Sequence, residues 1–261
     1  MTERLFDQFP GLSRCGAAVL SCTPCGDGWE VATDRTVLFP GGGGQPCDRG
    51  TADGVPIHSV REQEGVIYHL CDRPFETGRT VELALDTALR LDHSQQHTGE
   101  HMLSHALWKL YGARNIGFHM TEDMVTVDFD LELTSEQCAR AEDFVNAQIY
   151  ADRPVTILER RDDDLSDLQV RKATDKVKGL LRVVVVEDGD VCTCCGTHVS
   201  STGQVGLVKI FGVQRHRGGT RIEFLCGRLA FEECRRRIDA LHGLTNQLSC
   251  DYGRAGDGLT E

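Results

Sequence analysis

The chain has 261 residues, of which 40% are hydrophobic and 26% charged, with a formal net charge of −12 at pH 7. This length can bury a substantial core in one or two domains, and the composition is typical of a soluble globular protein. No apolar stretch approaches the roughly 20 residues of a membrane helix, so we expect no membrane contact. The acidic balance excludes a protein that coats nucleic acid through charge alone, because phosphate binding requires clustered cations.

The first residues, 1–15, lack the apolar core of a secretion signal, so we expect a cytoplasmic protein. The twelve cysteines are then expected to be mostly buried or metal-bound, because disulfide frameworks are rare in reducing compartments. Cys22 and Cys25 form an isolated CxxC. We interpret it as a structural turn, with a redox pair or half of a metal site as the alternatives.

Residues 1–88 are predicted to form a glycine-rich domain resembling a small β-barrel. Short runs rich in valine, leucine and aromatic residues alternate there with turn residues, and no long helical period occurs. The predicted strands are 17–21, 29–33, 36–39, 66–70 and 80–85. Four consecutive glycines interrupt this pattern at 41–44.

Residues 89–230 are predicted to form an α+β domain, because helical and strand periods alternate there. Helices are expected at 86–111, at 134–150 after a capping box, and at 165–173. Strands are expected at 117–120, 124–131, 154–159, 180–186, 205–213 and 220–225. Residues 231–261 are predicted to hold most of a C-terminal helix, 229–244, and a loose tail.

Two histidines, His97 and His101, stand four residues apart on the predicted helix 86–111. Positions i and i+4 share one helix face, so both imidazoles can bind the same cation. His93 and His105 continue the same spacing. A solvated or buried stripe of histidines therefore remains an alternative for this segment taken alone.

A second group of ligand-type residues follows the predicted strand 180–186. Cys194 and His198 stand four residues apart in a glycine-containing turn, and thiolate with imidazole suits Zn²⁺. Together the two segments supply four ligands for one zinc ion. Four protein ligands favour a closed structural site, whereas catalysis generally requires an open position. The sequence leaves both interpretations open.

These motifs, 97–101 and 194–198, resemble the HxxxH and CxxxH zinc motifs of alanyl-tRNA synthetase editing domains. They resemble still more the free-standing alanyl-tRNA editing proteins called AlaX, in the medium-length two-domain type. Further similar segments follow the family order, at 39–46 with Asp48 and Gly50, 117–120, 127–129, 202–206 and 221–224. The resemblance extends roughly over residues 15–230.

The resemblance implies a β-rich domain with a glycine-rich loop, followed by a zinc-dependent editing domain. The implied reaction is hydrolysis of the ester in mischarged Ser-tRNA(Ala), and also in Gly-tRNA(Ala), with tRNA as partner and Zn²⁺ as cofactor. ATP or amino-acid binding follows only from the analogy with the synthetase, and no phosphate-binding loop supports it. The alternative is a catalytically silent, zinc-stabilised tRNA-binding module that acts with a synthetase.

Substrate contacts are predicted in two segments. Backbone without side chains can approach a substrate closely and offer N–H donors, and the loop candidates are Gly41, Gly42, Gly43, Gly44 and Gln45. The stretch 207–222 contains basic residues and no acid, and its tRNA-binding candidates are Arg215, Arg217 and Arg221. Solvated surface is the alternative for these arginines, and 171–182 is the next candidate surface.

Two departures from the family pattern affect the site. Cys195 stands where the usual turn has its first glycine, and Cys192 is also close, so either could replace Cys194 as a ligand, although the spacing favours Cys194. The loop also lacks the Thr or Ser that often precedes its glycines. Discrimination that depends on a loop hydroxyl is therefore not expected here.

The catalytic group stays open at this stage. A zinc-bound water is the expected nucleophile, and Glu100 is a weak candidate for a general base. Glu100 precedes His101 by one residue, so it points about 100° away around the helix. We expect it to lie in solvent or behind the ligands.

Overall fold

The structure, a computed structural model, describes residues 1–161, 164–165, 168–171, 179–248 and 251. Helices and several β-sheets are mixed along this chain, which confirms the predicted α+β class. Within the described ranges, no helix combines the length and hydropathy needed to span a bilayer.

The first part of the chain is built almost entirely from strands. Its elements are β1 (Glu3–Arg4), α1 (Leu5–Gln8), β2 (Arg14–Cys25), β3 (Gly28–Thr33), β4 (Arg35–Thr36), β5 (Gly50–Ala52), β6 (Val55–Gln63), β7 (Val66–Cys71) and β8 (Thr80–Leu85). Six of them close into an antiparallel barrel in the order β2-β3-β7-β6-β5-β8. Side chains alternate along β8, where Val81 and Leu83 are buried while Thr80 and Glu82 are exposed.

The predicted strands 29–33, 66–70 and 80–85 match β3, β7 and β8 closely. The predicted strand 36–39 is wrong beyond Thr36, because residues 37–39 bend into the glycine-rich loop with their side chains fully buried. Strands β5 and β6 were not predicted. Gly50, Pro56 and the polar stretch 61–63 interrupt the hydrophobic alternation there.

The second part alternates helices with strands. Its elements are α2 (Thr87–Tyr111), β9 (Asn115–Met120), β10 (Val125–Phe129), α3 (Ser135–Tyr150), β11 (Val155–Arg161), β12 (Leu180–Val186), β13 (Val191–Thr193), a 3-10 turn (Thr202–Val205), β14 (Val208–His216), β15 (Gly219–Cys226) and α4 (Gly227–Leu248). One antiparallel sheet has the order β14-β15-β10-β9 and another the order β11-β12-β13.

Helix α2 begins and ends where its sequence predicts. The Asp86 carboxylate accepts hydrogen bonds from the backbone N–H groups of Ala88 and Leu89, at 3.1 and 3.0 Å, and Gly112 ends the helix with a left-handed φ of 74°. Residues 92–107 are buried without interruption. A helix buried on every side lies in the interior, so the polar residues of α2 must find partners within the protein.

The other predicted elements agree in part. The capping box of Thr134 and Gln137 is present at the start of α3. Strand β14 starts three residues later than predicted, because a 3-10 turn occupies 202–205. Residues 165 and 168–171 of the predicted helix 165–173 are not helical, and its other residues lie outside the described ones. Helix α4 is longer than the predicted 229–244, and the tail is described only at Asp251.

A buried ion pair joins the barrel part to helix α2. The Arg90 guanidinium donates through Nε to both Asp48 carboxylate oxygens at 3.1 Å and through Nη2 to the Val37 carbonyl at 2.9 Å. Asp48 accepts in turn from the Phe39 backbone N–H at 2.6 Å. Since Phe39 and Asp48 flank the glycine-rich loop, this pair holds both ends of the loop against α2.

The two larger groups of buried hydrophobic side chains divide along the chain. One contains residues between Leu5 and Leu83, and the other contains residues between Met102 and Ala230. The domain bounds 1–88, 89–230 and 231–261 themselves stay a prediction.

The barrel interior also contains one buried histidine, and its environment leads to a testable prediction. His69 is 1% exposed, its Nδ1–H donates to the Val31 carbonyl at 3.0 Å, and its Nε2 accepts from the Thr36 hydroxyl at 2.9 Å. Burial lowers the pKa of His69 to about 4. The folded protein therefore keeps this ring neutral at pH values where the unfolded chain protonates it.

As the pH falls from about 6.5 to about 4, we expect His69 to reduce the free energy of unfolding by up to about 3 kcal/mol, because only the unfolded chain takes up the proton. His69→Gln should remove this part of the pH dependence. Urea unfolding at pH 7, 5.5 and 4 measures it, with the exposed His242→Gln as the matched control. A stability difference between wild type and His69→Gln that does not change with pH would contradict the assignment.

Candidate functional site

Four ligand-type side chains from two distant segments meet beside helix α2. His97 and His101 come from the middle of α2, and Cys194 and His198 come from the turn that follows β13. Their ligand atoms all lie within 4.8 Å of one another. Cys194 Sγ is 3.3 Å from His97 Nε2 and 3.4 Å from His198 Nε2. Such a group could hold a metal ion.

The neighbouring cysteines lie differently. Cys192 belongs to an overlapping group with His101 and Asp190, in which all three residues are buried. Cys195 is exposed on the wall of the adjoining cavity. Cys194 is therefore the cysteine that the structure places among the three histidines.

A side-chain oxygen lies against the Nδ1 atom of each histidine in the group. These oxygens are Gln45 Oε1 at 2.7 Å from His97, Thr98 Oγ1 at 3.1 Å from His198, and Asp190 Oδ2 at 3.1 Å from His101. Contacts of this kind favour the tautomer with the proton on Nδ1 and leave the Nε2 lone pair for a metal. The histidine rings are thus oriented for ligation from outside the group.

The charges in this group favour the forms that bind metals. Burial alone would raise the pKa of the Cys194 thiol, but the imidazoles of His97, His198 and His101 bring it well below its ordinary value. Burial lowers the pKa of His198 to about 3, so that ring stays neutral. A thiolate and a neutral imidazole are the protonation states that metal ions require.

His101 behaves differently from His198. Burial would lower the pKa of His101, but Asp190 and Cys194 raise it well above its ordinary value. Asp190 itself is tied to Arg171, whose Nε and Nη2 donate to its two carboxylate oxygens at 2.6 and 2.8 Å. Asp190 was not among the site residues predicted from the sequence. Its position in the sequence, between a predicted strand and a cysteine-rich turn, was the feature that could have indicated it.

Strand β12 and helix α2 both constrain the turn that contains Cys194 and His198. Arg182 Nη1 donates to the Cys194 carbonyl at 3.0 Å and to the Gly196 carbonyl at 2.6 Å. A Cβ atom on Gly196 would lie 2.1 Å from His97 Cε1, so a side chain cannot fit at this position. The turn therefore approaches His97 as closely as glycine permits.

A cavity of about 1000 Å³ adjoins the group, and all four ligand-type side chains line it. Its other walls include Gly43 of the glycine-rich loop, Phe118 of β9 and Arg4 near the N-terminus. The Phe118 ring packs against His97 with a centroid distance of 5.1 Å. The site therefore combines metal-ligand side chains with room for a small organic group.

The predicted loop residues differ in position. Gly43 lines the cavity, whereas Gly44 packs against Phe118, where a Cβ atom would lie 2.6 Å from the ring. Gly41 has a φ of 82° and Gly42 a φ of 140°. Glycine adopts such positive values readily, and they allow the loop to bend here.

Gln45 lies behind His97 and is 3% exposed. Its Oε1 accepts from the Thr197 backbone N–H at 3.0 Å, and its Nε2 donates to the Thr197 hydroxyl at 2.9 Å. Within the described residues, the amide of Gln45 is fully engaged with His97 and Thr197. The structure therefore places Gln45 as a support for the histidine and not on the cavity wall.

The predicted tRNA-binding arginines do not line the cavity. Arg221 donates to both oxygens of Asp128 at 2.7 Å, and Arg215 pairs with Glu132. Arg217 has a left-handed φ of 48° at the β14–β15 turn. The stretch 207–222 has no acid of its own, but strand pairing places acids from the segment around β10 beside it, which offsets its positive charge.

The second predicted basic surface, 171–182, is described only at its ends. Arg171 is buried against Asp190, and Arg182 holds the ligand turn, so neither is a solvated cation. Lys172, Lys176 and Lys178 lie outside the described residues.

Glu100 is 4% exposed and lines the cavity. Of the two expected positions, in solvent or behind the ligands, the first is wrong, because α2 is buried on all sides at this point. The Ser104 hydroxyl and the Asn115 amide both donate to Glu100 Oε1. Glu100 Oε2 lies 4.0 Å from His101 Nε2, so the carboxylate stands beside the ligand group, although the two residues are adjacent on the helix.

Comparisons with known proteins agree with this site. The family model described as "Threonyl and Alanyl tRNA synthetase second additional domain" matches residues 181–223, which include the ligand turn. The alanyl-tRNA editing protein AlaX-L of Pyrococcus horikoshii is 37% identical over 238 residues, which cover 87% of this chain and 58% of the relative. The chain is thus similar to alanyl-tRNA editing proteins over most of its own length.

Other relatives show the same similarity. The alanyl-tRNA editing protein Aarsd1 of Mus musculus is 32% identical over 227 residues, which cover 85% of this chain and 55% of the relative. An alanine–tRNA ligase of Halorubrum lacusprofundi is 31% identical over 266 residues, with 96% of this chain and 28% of the relative covered. The chain thus spans somewhat more than half the length of the editing proteins it matches.

The choice of Cys194 leads to a prediction about metal content. Purified protein loaded with a divalent metal and then dialysed should retain about one ion per chain. Cys194→Ala should lose most of it, because one of four ligands is missing, whereas the adjacent Cys195→Ala should retain it. Elemental analysis measures the content. Metal lost from Cys195→Ala and retained by Cys194→Ala would show that the other cysteine is the ligand.

Proposed function

We propose that this chain hydrolyses the ester bond of mischarged Ser-tRNA(Ala), and also of Gly-tRNA(Ala), with Zn²⁺ held by His97, His101, Cys194 and His198. The observation that carries the proposal is the convergence of these four side chains on the wall of a cavity. The printed names of the relatives, alanyl-tRNA editing protein among them, supply the class of substrate.

The donor set supports zinc as the metal. Three imidazole nitrogens and one thiolate suit a tetrahedral Zn²⁺ site. When bound, zinc supplies a Lewis acid that stabilises negative charge on an ester oxygen. The chain's own contribution is orientation, because Gln45, Thr98 and Asp190 hold the three rings at Nδ1.

The cavity wall supports acceptance of small amino acids. Gly43 contributes no side chain, and the loop carries no hydroxyl that would bind the serine side chain specifically. A pocket distinguishes one methyl or hydroxyl group only modestly, so serine and glycine should both enter.

The tRNA partner and its contacts belong to the same proposal. Arg215, Arg217 and Arg221 remain our candidates for phosphate contacts, although Asp128 and Glu132 reduce the local positive charge. We expect the protein to act in the cytoplasm, with a barrel domain at 1–88 and an editing domain at 89–230.

Deacylation tests the function directly. We expect the protein to release serine from Ser-tRNA(Ala) and glycine from Gly-tRNA(Ala), to leave Ala-tRNA(Ala) largely intact, and to lose activity with a zinc chelator until zinc is restored. The measurement is loss of labelled amino acid from each tRNA over time. If all esters stay intact while filter binding still detects the tRNA, the protein is instead a silent tRNA-binding module.

The loop provides a second test with a matched control. Gly43 and Gly54 both have left-handed φ values, 62° and 78°, and neither has an atom within 4 Å of an added Cβ. Asparagine tolerates this conformation, so both Gly→Asn changes should preserve the fold. Only Gly43 lines the cavity.

Gly43→Asn should therefore lower kcat/KM for Ser-tRNA(Ala) roughly 10- to 100-fold through crowding of the pocket, with zinc content unchanged. Gly54→Asn should behave as wild type in the same deacylation assay. Equal activity of the two variants would reduce the glycine-rich loop to a connection between strands.

A further inference from the structure

Glu100 is a buried acid on the cavity wall, and the basic side chain paired with it is His101, at 4.0 Å. Asp7 pairs with Arg4, and Asp190 pairs with Arg171. Within the described part of the chain, no lysine or arginine lies within ion-pair distance of Glu100, although this residue is only 4% exposed. A ligand of opposite charge would stabilise a buried carboxylate whose basic partner stands this far away.

The two oxygens of the Glu100 carboxylate have different surroundings. Oε1 accepts from the Ser104 hydroxyl and the Asn115 amide, which hold the carboxylate in place. Oε2 lies 4.0 Å from His101 Nε2. The carboxylate is therefore fixed through Oε1, while Oε2 lies beside the ligand group on a residue of the cavity wall.

We propose that Glu100 Oε2 binds the α-ammonium group of the aminoacyl ester. This inference rests on the proposed function, because it requires an aminoacyl ester in the cavity. In such an ester the ammonium nitrogen and the carbonyl carbon share one α-carbon, so they are about 2.5 Å apart. A carboxylate next to the metal-ligand group is thus within reach of the ammonium when the ester carbonyl lies at that group.

The α-ammonium is common to all aminoacyl esters and carries a full positive charge. A charge-assisted hydrogen bond to a carboxylate is strong at a buried site. Glu100 then recognises the aminoacyl class and orients the ester carbonyl, whereas the wall around Gly43 and Phe118 meets the amino-acid side chain. These roles separate class recognition from selection among amino acids.

The test compares Ser-tRNA(Ala) with N-acetyl-Ser-tRNA(Ala), in which the nitrogen carries no charge. Wild type should hydrolyse the free-amine substrate roughly 10- to 100-fold faster. Glu100→Gln, which keeps the shape of the side chain, should slow hydrolysis of Ser-tRNA(Ala) by a similar factor and leave the acetylated substrate nearly unchanged. The matched control, Glu136→Gln on the exposed face of α3, should change neither rate.

A binding measurement keeps this test separate from catalysis. The probe is 3′-seryl-amido-3′-deoxyadenosine, whose amide bond resists hydrolysis, together with its N-acetyl form. Calorimetry should show that wild type prefers the free amine and that Glu100→Gln loses the preference while zinc content stays the same.

If Glu100→Gln lowers the hydrolysis rates of both substrates equally, the proposal is overturned, and Glu100 instead transfers a proton or stabilises the structure of the site. Loss of zinc from this variant would overturn it in favour of a role in supporting the metal. If wild type hydrolyses no ester, the proposed function fails, and the pair of amide probes still decides whether Glu100 binds the ammonium. Equal binding of the two probes to wild type would refute it.

Discussion

The buried ion pair between Arg90 and Asp48 is the constraint on which the site depends. It joins the first turn of α2 to the two ends of the glycine-rich loop, because Asp48 also binds the Phe39 backbone N–H. Removing one member of such a pair costs about 3–5 kcal/mol, since the other charge is left buried and unpaired. Without this anchor, Gln45 would not be held against His97, and Gly43 would not be held at the cavity.

Other buried polar residues of α2 also need partners from elsewhere in the chain, as Arg90 does. Gln96 bonds the Cys226 backbone through both its amide atoms, at 2.7 and 3.0 Å. Ser94 bonds Thr197, and Thr98 accepts from the Val199 backbone N–H, at 2.9 and 3.2 Å. The cost of burying polar groups is thus offset by contacts that bring the ligand turn to the ligand helix. Folding and assembly of the site are therefore the same process.

Sequence patterns predicted the local features of this fold well. The N-terminal cap of α2, its glycine stop and the capping box of α3 depend on neighbouring residues, and the structure has all three. Strands β5 and β6 were missed, because their order follows from barrel closure and not from their own alternation. The solvent position expected for Glu100 was wrong for a similar reason, since helical geometry does not show which elements cover a helix.

At the candidate site, too, the features that depend on local spacing were predicted, whereas those that depend on contacts between distant segments were not. The spacing of His97 with His101 and of Cys194 with His198 was enough to select four side chains that the structure brings together. The residues that contact the histidine Nδ1 atoms could not be predicted from the sequence, because Asp190 and Thr98 reach the histidines only through contacts between distant segments. Charge counting along 207–222 overestimated its positive charge, because strand pairing places Asp128 opposite Arg221.

We infer that Cys194 and three histidines together bind one zinc ion at this site, and zinc K-edge X-ray absorption of the zinc-loaded protein can test this inference. We expect one sulfur ligand at about 2.3 Å and three nitrogen ligands at about 2.0–2.1 Å. Two or more sulfur ligands would contradict it, because Cys192 or Cys195 would then share the metal, and a shell without sulfur would exclude Cys194.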